Sequence, residues 1–471
     1  MTHAVVLGGG MAGMLAAVAL TRHADRVTLI EGDRFPDGPE HRKGLPQAYQ
    51  NHMLMRGGAQ AIDAILPGTI DRLLAAGAHR RLIGQEILTL TAQGWFRRFP
   101  TEAHVIVCSR DLIDHTVRAQ ALKAKRISVL EGTRVTGLTG SATKVTGVRV
   151  EAATGGEERT IEADLVVDAT GSRSKSPQWL ADLGLADLAE EHLDAGLAYA
   201  GRWYTAPLQA TADMPGVLIQ TESGSGRPGR GAALVPNEDG RWIVALMGTR
   251  GAHPPNDEEG FLDYARKLRH PVIAELLSQA TPIGPIRSAR ALANRRRYFE
   301  KLPVPDGYVA IGDAVCVLSP NYATGMSLAA LGALALRTQL RTTGITPGFT
   351  GKVQKAIGKL ITPSWQMAVT NDSGFPDVET NVKLRGLGFS HAMTKRWTRT
   401  ALENQVLADL TFRMTDLTAP PTEMMRPSMM GALIRGPRAP QLTGDAAIAQ
   451  FPEFGPLLKG LESPAGPATR A

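Results

Sequence analysis

The 471-residue sequence predicts an α/β fold: a Rossmann-like core, an inserted antiparallel sheet and a helical C-terminal region. Three observations carry that prediction. A glycine turn sits between two apolar strands at the start, and two later strands end in Asp168 and in Gly312-Asp313. Segments of alternating polarity lie between those later strand ends. Beyond residue 345 the strand periodicity gives way to helical spacing.

His3-Ala-Val-Val-Leu7 is an apolar strand that breaks at Gly8-Gly9-Gly10-Met11-Ala12-Gly13 and resumes as a helix through Leu20. Arg26-Val-Thr-Leu-Ile30 forms the second strand. Glu31 follows it, about 20 residues past the turn, the usual spacing of a ribose-binding acid. Gly8 makes the tight turn, Gly10 admits backbone N–H groups to a pyrophosphate, and Gly13 lets helix and strand approach. Met11 and Ala12 open the helix whose N-terminus faces phosphate charge, and Glu31 can accept from a ribose hydroxyl. With both strands, the helix and the acid in place, the unit reads as a dinucleotide site.

A Pro/Gly-rich loop over 35–46 carries His41-Arg42-Lys43-Gly44, and a helical pattern covers 51–66. Residues 88–91 and 95–99 alternate as a hairpin turning at Gly94. Arg110 precedes a helix with apolar residues at Leu112, Ile113, Val117 and Leu122. Short strands at 128–130, 145–150 and 160–161 form a meander around Gly155-Gly156. The meander delivers the buried strand Leu165-Val-Val-Asp168, ending in Ala169-Thr170-Gly171, back to the first sheet.

Strand-like segments at 197–205, 217–222, 232–236 and 241–248 suit a substrate wall, with a turn at Asn237-Glu-Asp-Gly240. Tyr204, Gln220 and Thr249 are its candidate pocket residues. Residues 307–311 form a strand closing on Gly312-Asp313, and Pro320 through Gly325-Met326 leads into a helix over 328–340. That puts a carboxylate where a polyol could bind and a helix N-terminus where negative charge could sit. A flavin has both a ribityl chain and a ring that becomes anionic on reduction. The expected cofactor is FAD.

The expected division assigns 1–80, 100–188 and 286–345 to a discontinuous FAD-binding domain. Residues 81–99 and 189–285 form the substrate sheet, and 346–471 a helical region ending in a fraying Gly/Pro tail.

Hydrophobic content of 43% and charged content of 21% are ordinary for a globular chain. A net charge of +7 is spread over short runs such as Arg97-Arg98 and Arg295-Arg296-Arg297, which reads as solvated charge, not a nucleic-acid surface. Cys108 and Cys316 give no disulfide framework and no metal spacing, as expected for a cytoplasmic protein. His52, His104 and His115 also lack metal spacing, so no metal is expected. Residues 4–20 lack the basic lead of a secretion signal and are broken by glycines. No apolar run approaches the ~20 residues of a membrane span. The pairs Met424-Met425 and Met429-Met430 suit a pliable core or an apolar entrance.

Taken together, the glycine turn with Glu31, the Asp168–Gly171 strand end, and Gly312-Asp313 with Pro320, Gly325 and Met326 resemble the three signatures of the group A FAD monooxygenases. Those enzymes have the p-hydroxybenzoate hydroxylase fold, and the likeness spans about residues 1–340. His41-Arg-Lys-Gly-Leu-Pro-Gln47, Leu66-Pro-Gly-Thr69 and Arg435-Gly-Pro437 are similar to an actinobacterial branch. That branch contains epoxidases acting on linear polyene precursors of polyether antibiotics. Flavoproteins that close a decalin ring in spirotetramate and spirotetronate pathways share the fold.

The resemblance implies that Glu31 holds the adenosine ribose, with Arg42 or Lys43 along the pyrophosphate or adenosine side. It places Arg110 at the phosphate–ribityl region, Asp313 on the ribityl hydroxyls and the 320–325 turn against the isoalloxazine. The chain departs from the branch at Ala323, where a glycine is usual, and across Gln47-Ala-Tyr-Gln-Asn-His52, where Gln-Ala-Arg-His-x-His is usual. It lacks the Trp-x-Trp-x-Ile-Pro signature of flavin halogenases.

The implied function is a monooxygenase or epoxidase acting on a hydrophobic polyene in polyketide-type antibiotic biosynthesis, with NADPH or NADH as reductant. The alternative is a redox-neutral cyclase that forms a decalin by a formal Diels–Alder cycloaddition, with FAD structural.

Overall fold

His3–Leu7 is buried at every position and becomes the centre of a parallel sheet. The computed structural model describes residues 1–458 apart from 291, 292 and 385. The tail expected to fray, at 459–471, lies outside them. The elements that position the site are, in chain order, β1 (His3–Leu7), α1 (Met11–Leu20), β2 (Arg26–Ile30), α2 (Arg110–Ala121), β3 (Ile127–Leu130), β4 (Leu165–Asp168), β5 (Ala198–Thr205), β6 (Tyr308–Ala310), α3 (Gly325–Thr343) and α4 (Phe349–Asp372).

A five-stranded parallel sheet runs β6–β4–β1–β2–β3, with Val5 opposite Val166 on one side and Thr28 on the other. Helices cover a parallel sheet on its faces, so its strands read as continuous apolar runs. Here Val5, Val6, Leu7, Val166, Val167 and Val309 are all fully buried. α4 docks on the same core through Val353, Ile357, Ile361, Trp365 and Ala368, a three-to-four-residue spacing along one helix face.

The inserted sheet has seven strands in the order 281–289, β5, 241–248, 230–236, 216–219, 87–91 and 94–95. Its ladders are antiparallel except that Gly216–Ile219 pairs parallel with Ile87–Thr91. The sheet is therefore mixed. Ile87–Thr91 arrives from a distant part of the chain, so no hairpin, the simplest antiparallel joint, links it to Gly216–Ile219.

Alternation divides this sheet between two cores. Ala200, Tyr204, Leu234, Trp242, Val244 and Leu246 pack with Phe261, Tyr264 and Leu276 behind it. Tyr199, Ala233, Val235, Ile243, Ala245 and Met247 face Met55, Val105 and Val107 in front. Trp203, Leu218, Met53, Leu417 and Ala323 border that front cluster and are only partly covered.

Tertiary pairing overrides three local expectations. The start of the 51–66 pattern is a strand, Met53–Met55, because it pairs with Val105–Val107, and the helix begins at Arg56. The first hairpin turns at Ala92-Gln93, since Leu90 faces Trp95 and Thr91 faces Gly94, and the Thr91 hydroxyl donates to the Gly94 carbonyl at 3.0 Å. The meander gains a strand at Thr133–Gly140 that local alternation did not suggest. Among the described residues no helix is long and apolar enough to cross a membrane, and no group of three His, Cys, Asp or Glu could hold a metal.

The β1–α1 crossing allows no added atoms. A Cβ on Gly13 would overlap the carbonyl oxygen of Gly8. Gly13→Ala should therefore force α1 off β1 and cost about 3 kcal/mol. A thermal melt unchanged from wild type would show that the crossing is looser than described.

Candidate functional site

The first turn is set by backbone geometry. Gly8 has φ +93°, and a Cβ there would lie 2.6 Å from the Ala169 carbonyl oxygen, so β1 and the end of β4 touch directly. A Cβ on Gly10 meets nothing within 4 Å. Open space therefore lies over the N-terminus of α1, where the unpaired N–H groups of its first turn emerge. No side chain caps that helix.

Glu31 and Arg42 close the other side. Glu31 Oε2 accepts from Gly9 N at 2.7 Å and Oε1 from Asp33 N at 2.9 Å. Arg42 donates to Glu31 and to the Gly9 carbonyl, each at 3.2 Å, and pairs with Asp114 at 3.3 Å. Asp114 also holds Arg118 at 2.8 Å. The Phe35 ring lies between the two guanidiniums, 5.4 Å from Arg42 and 5.2 Å from Arg118. Arg42 is buried in this cluster, whereas Lys43 is exposed on the loop.

Arg110 begins α2, capped by the Ser109 hydroxyl, which accepts from Leu112 N at 3.3 Å. Its guanidinium is buried, and among the described residues its Nε has no hydrogen-bond partner. Burial lowers its pKa, while Asp114 and Asp313 pull in the opposite direction. Asp313, half-buried, is raised by burial and held back by Arg110 and Arg295. Gly312 brings the third signature onto the first: a Cβ there would sit 3.0 Å from that of Ala12. Gly325 opens α3 with its added Cβ 4.0 Å from Asp313 Oδ1. Met326 is buried, Pro320 is exposed, and the buried Thr324 Oγ1 has no partner among the described residues. Gly8 through Gly13, Glu31, Arg42, Arg110, Gly312, Asp313 and Gly325 thus lie close together around the N-terminus of α1, the candidate cofactor cleft.

Residues 4–172 match the FAD dependent oxidoreductase family. The chain is 30% identical over 385 residues to Protein Rv3254 of Mycobacterium tuberculosis, a match covering 79% of this chain and 80% of that one. The chain belongs to the FAD-dependent oxidoreductases of the p-hydroxybenzoate hydroxylase fold. A kynurenine 3-monooxygenase of Salinispora tropica is 27% identical over 348 residues, 69% of either chain. The solved structure of the Diels-Alderase PyrE3 from pyrroindomycin biosynthesis has the same fold, with a TM-score of 0.59 at 14% identity. That match covers 88% of this chain and 80% of the other.

The flavoprotein's cleft fits its cofactor on observations of its own. A buried cation with an unpaired donor, an uncapped helix start facing open space, and an orphaned hydroxyl are what an anionic dinucleotide would satisfy.

Beside the cleft, the 319–325 turn places Ala323 at φ +51°, against the front face of the inserted sheet. That conformation costs an L-residue about 1 kcal/mol, which explains why glycine suits this position. His52 lies next to Arg110, its Nδ1 2.8 Å from the Gln50 carbonyl. Burial, reinforced by the Arg110 charge, pushes it down to about 3, so the imidazole is neutral. Gln50 Oε1 and Asn51 Oδ1 are buried without partners among the described residues.

The three wall candidates are not brought together. Tyr204 packs into the rear core, and Gln220 is exposed past the end of its strand. Thr249 is buried and its hydroxyl accepts from Gly229 N at 2.8 Å, closing a loop. Tyr199 and Trp203, one residue out of phase with Tyr204, face the turn instead. Strand parity groups them on one face but does not say which face meets the turn.

Two outcomes test the cleft. Arg110→Met should leave the apoprotein's melting temperature unchanged or higher, because an unpaired buried charge is lost, yet raise the FAD dissociation constant at least about tenfold. Gly10→Ala should keep the apo melt and also weaken FAD, since only a ligand occupies its open side. Equal FAD titrations for wild type and both variants would remove the cofactor from this cleft.

Proposed function

We propose that this flavoprotein is a tailoring enzyme of polyketide-type antibiotic biosynthesis, a monooxygenase or epoxidase acting on a hydrophobic polyene with NADPH or NADH as reductant. In this reading Glu31, Arg42, Arg110 and Asp313 hold FAD, together with the backbone of Gly8, Gly10, Met11, Ala12, Gly13, Gly312, Gly325 and Met326. Lys43 and Pro320, both exposed, border it. FAD, when bound, supplies two-electron redox chemistry and oxygen activation.

The observation that carries the reading is Ala323. It belongs to the turn that leaves Asp313 for α3, and it also packs against the front cluster that contains Tyr199, Ile243, Ala245 and Met247. An apolar face of the inserted sheet therefore borders the cofactor turn, and its partly covered edge, Met53, Trp203, Leu218 and Leu417, suits a long apolar substrate. The protein's own tasks are to bind, to exclude water and to align. An alkene acceptor needs no protein base. His52, the imidazole nearest Arg110, stays neutral and has one nitrogen committed to the Gln50 carbonyl. The monooxygenase named among the relatives supports an oxygen-inserting reaction.

Ring closure without redox is the second reading; it too needs no protein base, and the fold is shared with a Diels-Alderase. Confinement of a folded polyene would then supply the acceleration, out of the roughly 7–11 kcal/mol available from orientation.

The test is to incubate the FAD-loaded protein with a linear polyene bearing a conjugated diene and a remote alkene. We expect a product heavier by one oxygen atom, formed only when NADPH or NADH and oxygen are both present. An isomer of unchanged mass, formed without either, would overturn the oxygenase in favour of the cyclase.

A further inference from the structure

The last residue of α4 delivers a buried carboxylate to the back of the turn between the cofactor residues and the front face of the inserted sheet. Asp372 is 6% exposed. Its Oδ1 accepts from the Tyr322 hydroxyl at 2.5 Å and its Oδ2 from Asn294 Nδ2 at 2.6 Å. Asn294 in turn uses its Oδ1 to accept from Ser319 N at 2.7 Å. One carboxylate thus grips both ends of the 319–323 turn, Tyr322 directly and Ser319 through Asn294. The strained Ala323 lies next to the gripped Tyr322.

The same helix end anchors the inserted sheet. The Ser223 hydroxyl donates to the Asn371 carbonyl, and Gly224 N donates to the Gly374 carbonyl at 3.0 Å. Cofactor turn, substrate wall and C-terminal region therefore meet within three residues of α4's end. Among the described residues no Lys or Arg forms an ion pair with Asp372. A buried anion without a cation is costly, and asparagine would fill the same space as a neutral group. A purely structural joint has no need of the charge.

We propose that Asp372 is a positioning residue of the flavin site, setting the 319–323 turn through Tyr322 and Asn294 according to whether its carboxyl is ionised. The inference rests on the FAD reading of the cleft. As a carboxylate, Asp372 accepts both hydrogen bonds. Once protonated it must donate one proton itself, and the Tyr322 hydroxyl must turn or let go.

Burial lifts the acid to about 6, against the bonds from Tyr322 and Asn294. Its ionisable neighbours are Tyr322 on the turn and Tyr199 on β5, both raised by burial and neutral through this range. His391, from Leu387–Ala401, touches the same helix end, 3.4 Å from the Ser373 hydroxyl.

Bound FAD is the reporter. Visible absorption and circular dichroism of the FAD-loaded protein, followed from pH 5 to pH 8, should show a one-proton transition in wild type. Asp372→Asn should abolish the transition and match the low-pH wild-type spectrum throughout. Tyr322→Phe should retain it with the midpoint moved upward by about half a unit or more, because a bond favouring the carboxylate is gone. His391→Gln should leave the midpoint unchanged. A flat wild-type spectrum, a wild-type transition in Asp372→Asn, or an unmoved midpoint in Tyr322→Phe would each overturn the proposal. The last decides the matter even where Asp372→Asn does not fold. Wild type that takes up no FAD would instead overturn the reading of the cleft.

Discussion

The contact of β1, α1 and the end of β4 at Gly8 and Gly13 governs the rest of this structure. With no Cβ at either position, a helix start, a strand end and the Ala169 carbonyl occupy one small volume. That closeness aims the first turn of α1 into open space and not into a neighbouring strand. The approach of Gly312 to Ala12 adds the third chain segment to the same point. Three stretches far apart in sequence converge because each gave up side-chain volume where they meet.

Convergence brings three acids to three strand ends, and their surroundings give them different work. Glu31 is spent on Gly9, Asp33 and Arg42, so it stiffens the glycine turn as well as facing a ribose position. Asp168 turns inward. It accepts from Thr170 N at 2.9 Å, from the Thr170 and Ser174 hydroxyls at 2.6 Å each, and from Ser176 and Tyr308. That fully buried carboxylate binds β4 to β6 and has no capacity left for a ligand. Asp313 alone of the three stands beside Arg110 and Arg295, with no strand-end network of its own. Motif reading treats the three alike; hydrogen-bond accounting separates them.

The parallel core was legible because its determinants are local: an apolar run, glycines at fixed offsets, and an acid one strand later. The buried state of Arg42 beside the exposed Lys43 was not legible, since adjacent loop residues carry no periodicity. The substrate wall failed for a sharper reason. Alternation tells which residues share a face but not which face meets the cofactor, and a choice one residue out of phase selects Tyr204 instead of Tyr199 or Trp203. Met53–Met55 likewise reads as helix until its partner at Val105–Val107 is known. The Asp372 grip on Tyr322 spans 50 residues and leaves no spacing signal at all.

Unpaired buried polar atoms occur in the scaffold, at Arg81, Arg296, Gln354 and Glu453, as well as near the cofactor turn and the inserted sheet. In the second group Arg110 Nε, Thr324 Oγ1, Tyr199 OH, Gln50 Oε1 and Asn51 Oδ1 lack partners among the described residues. Each such group costs about 1–3 kcal/mol when nothing meets it. Under the proposed function, those beside the cofactor turn and the inserted sheet are groups that a bound molecule could satisfy. Arg110 and Thr324 lie on the cofactor side. Tyr199 and Gln50 lie along β5, where a Cβ on Gly201 would meet Gln50 Oε1 at 2.5 Å. On the proposed function, an apolar substrate bearing one hydroxyl or carbonyl oxygen would complement both the apolar face and the unpaired polar atom, which a plain hydrocarbon would not.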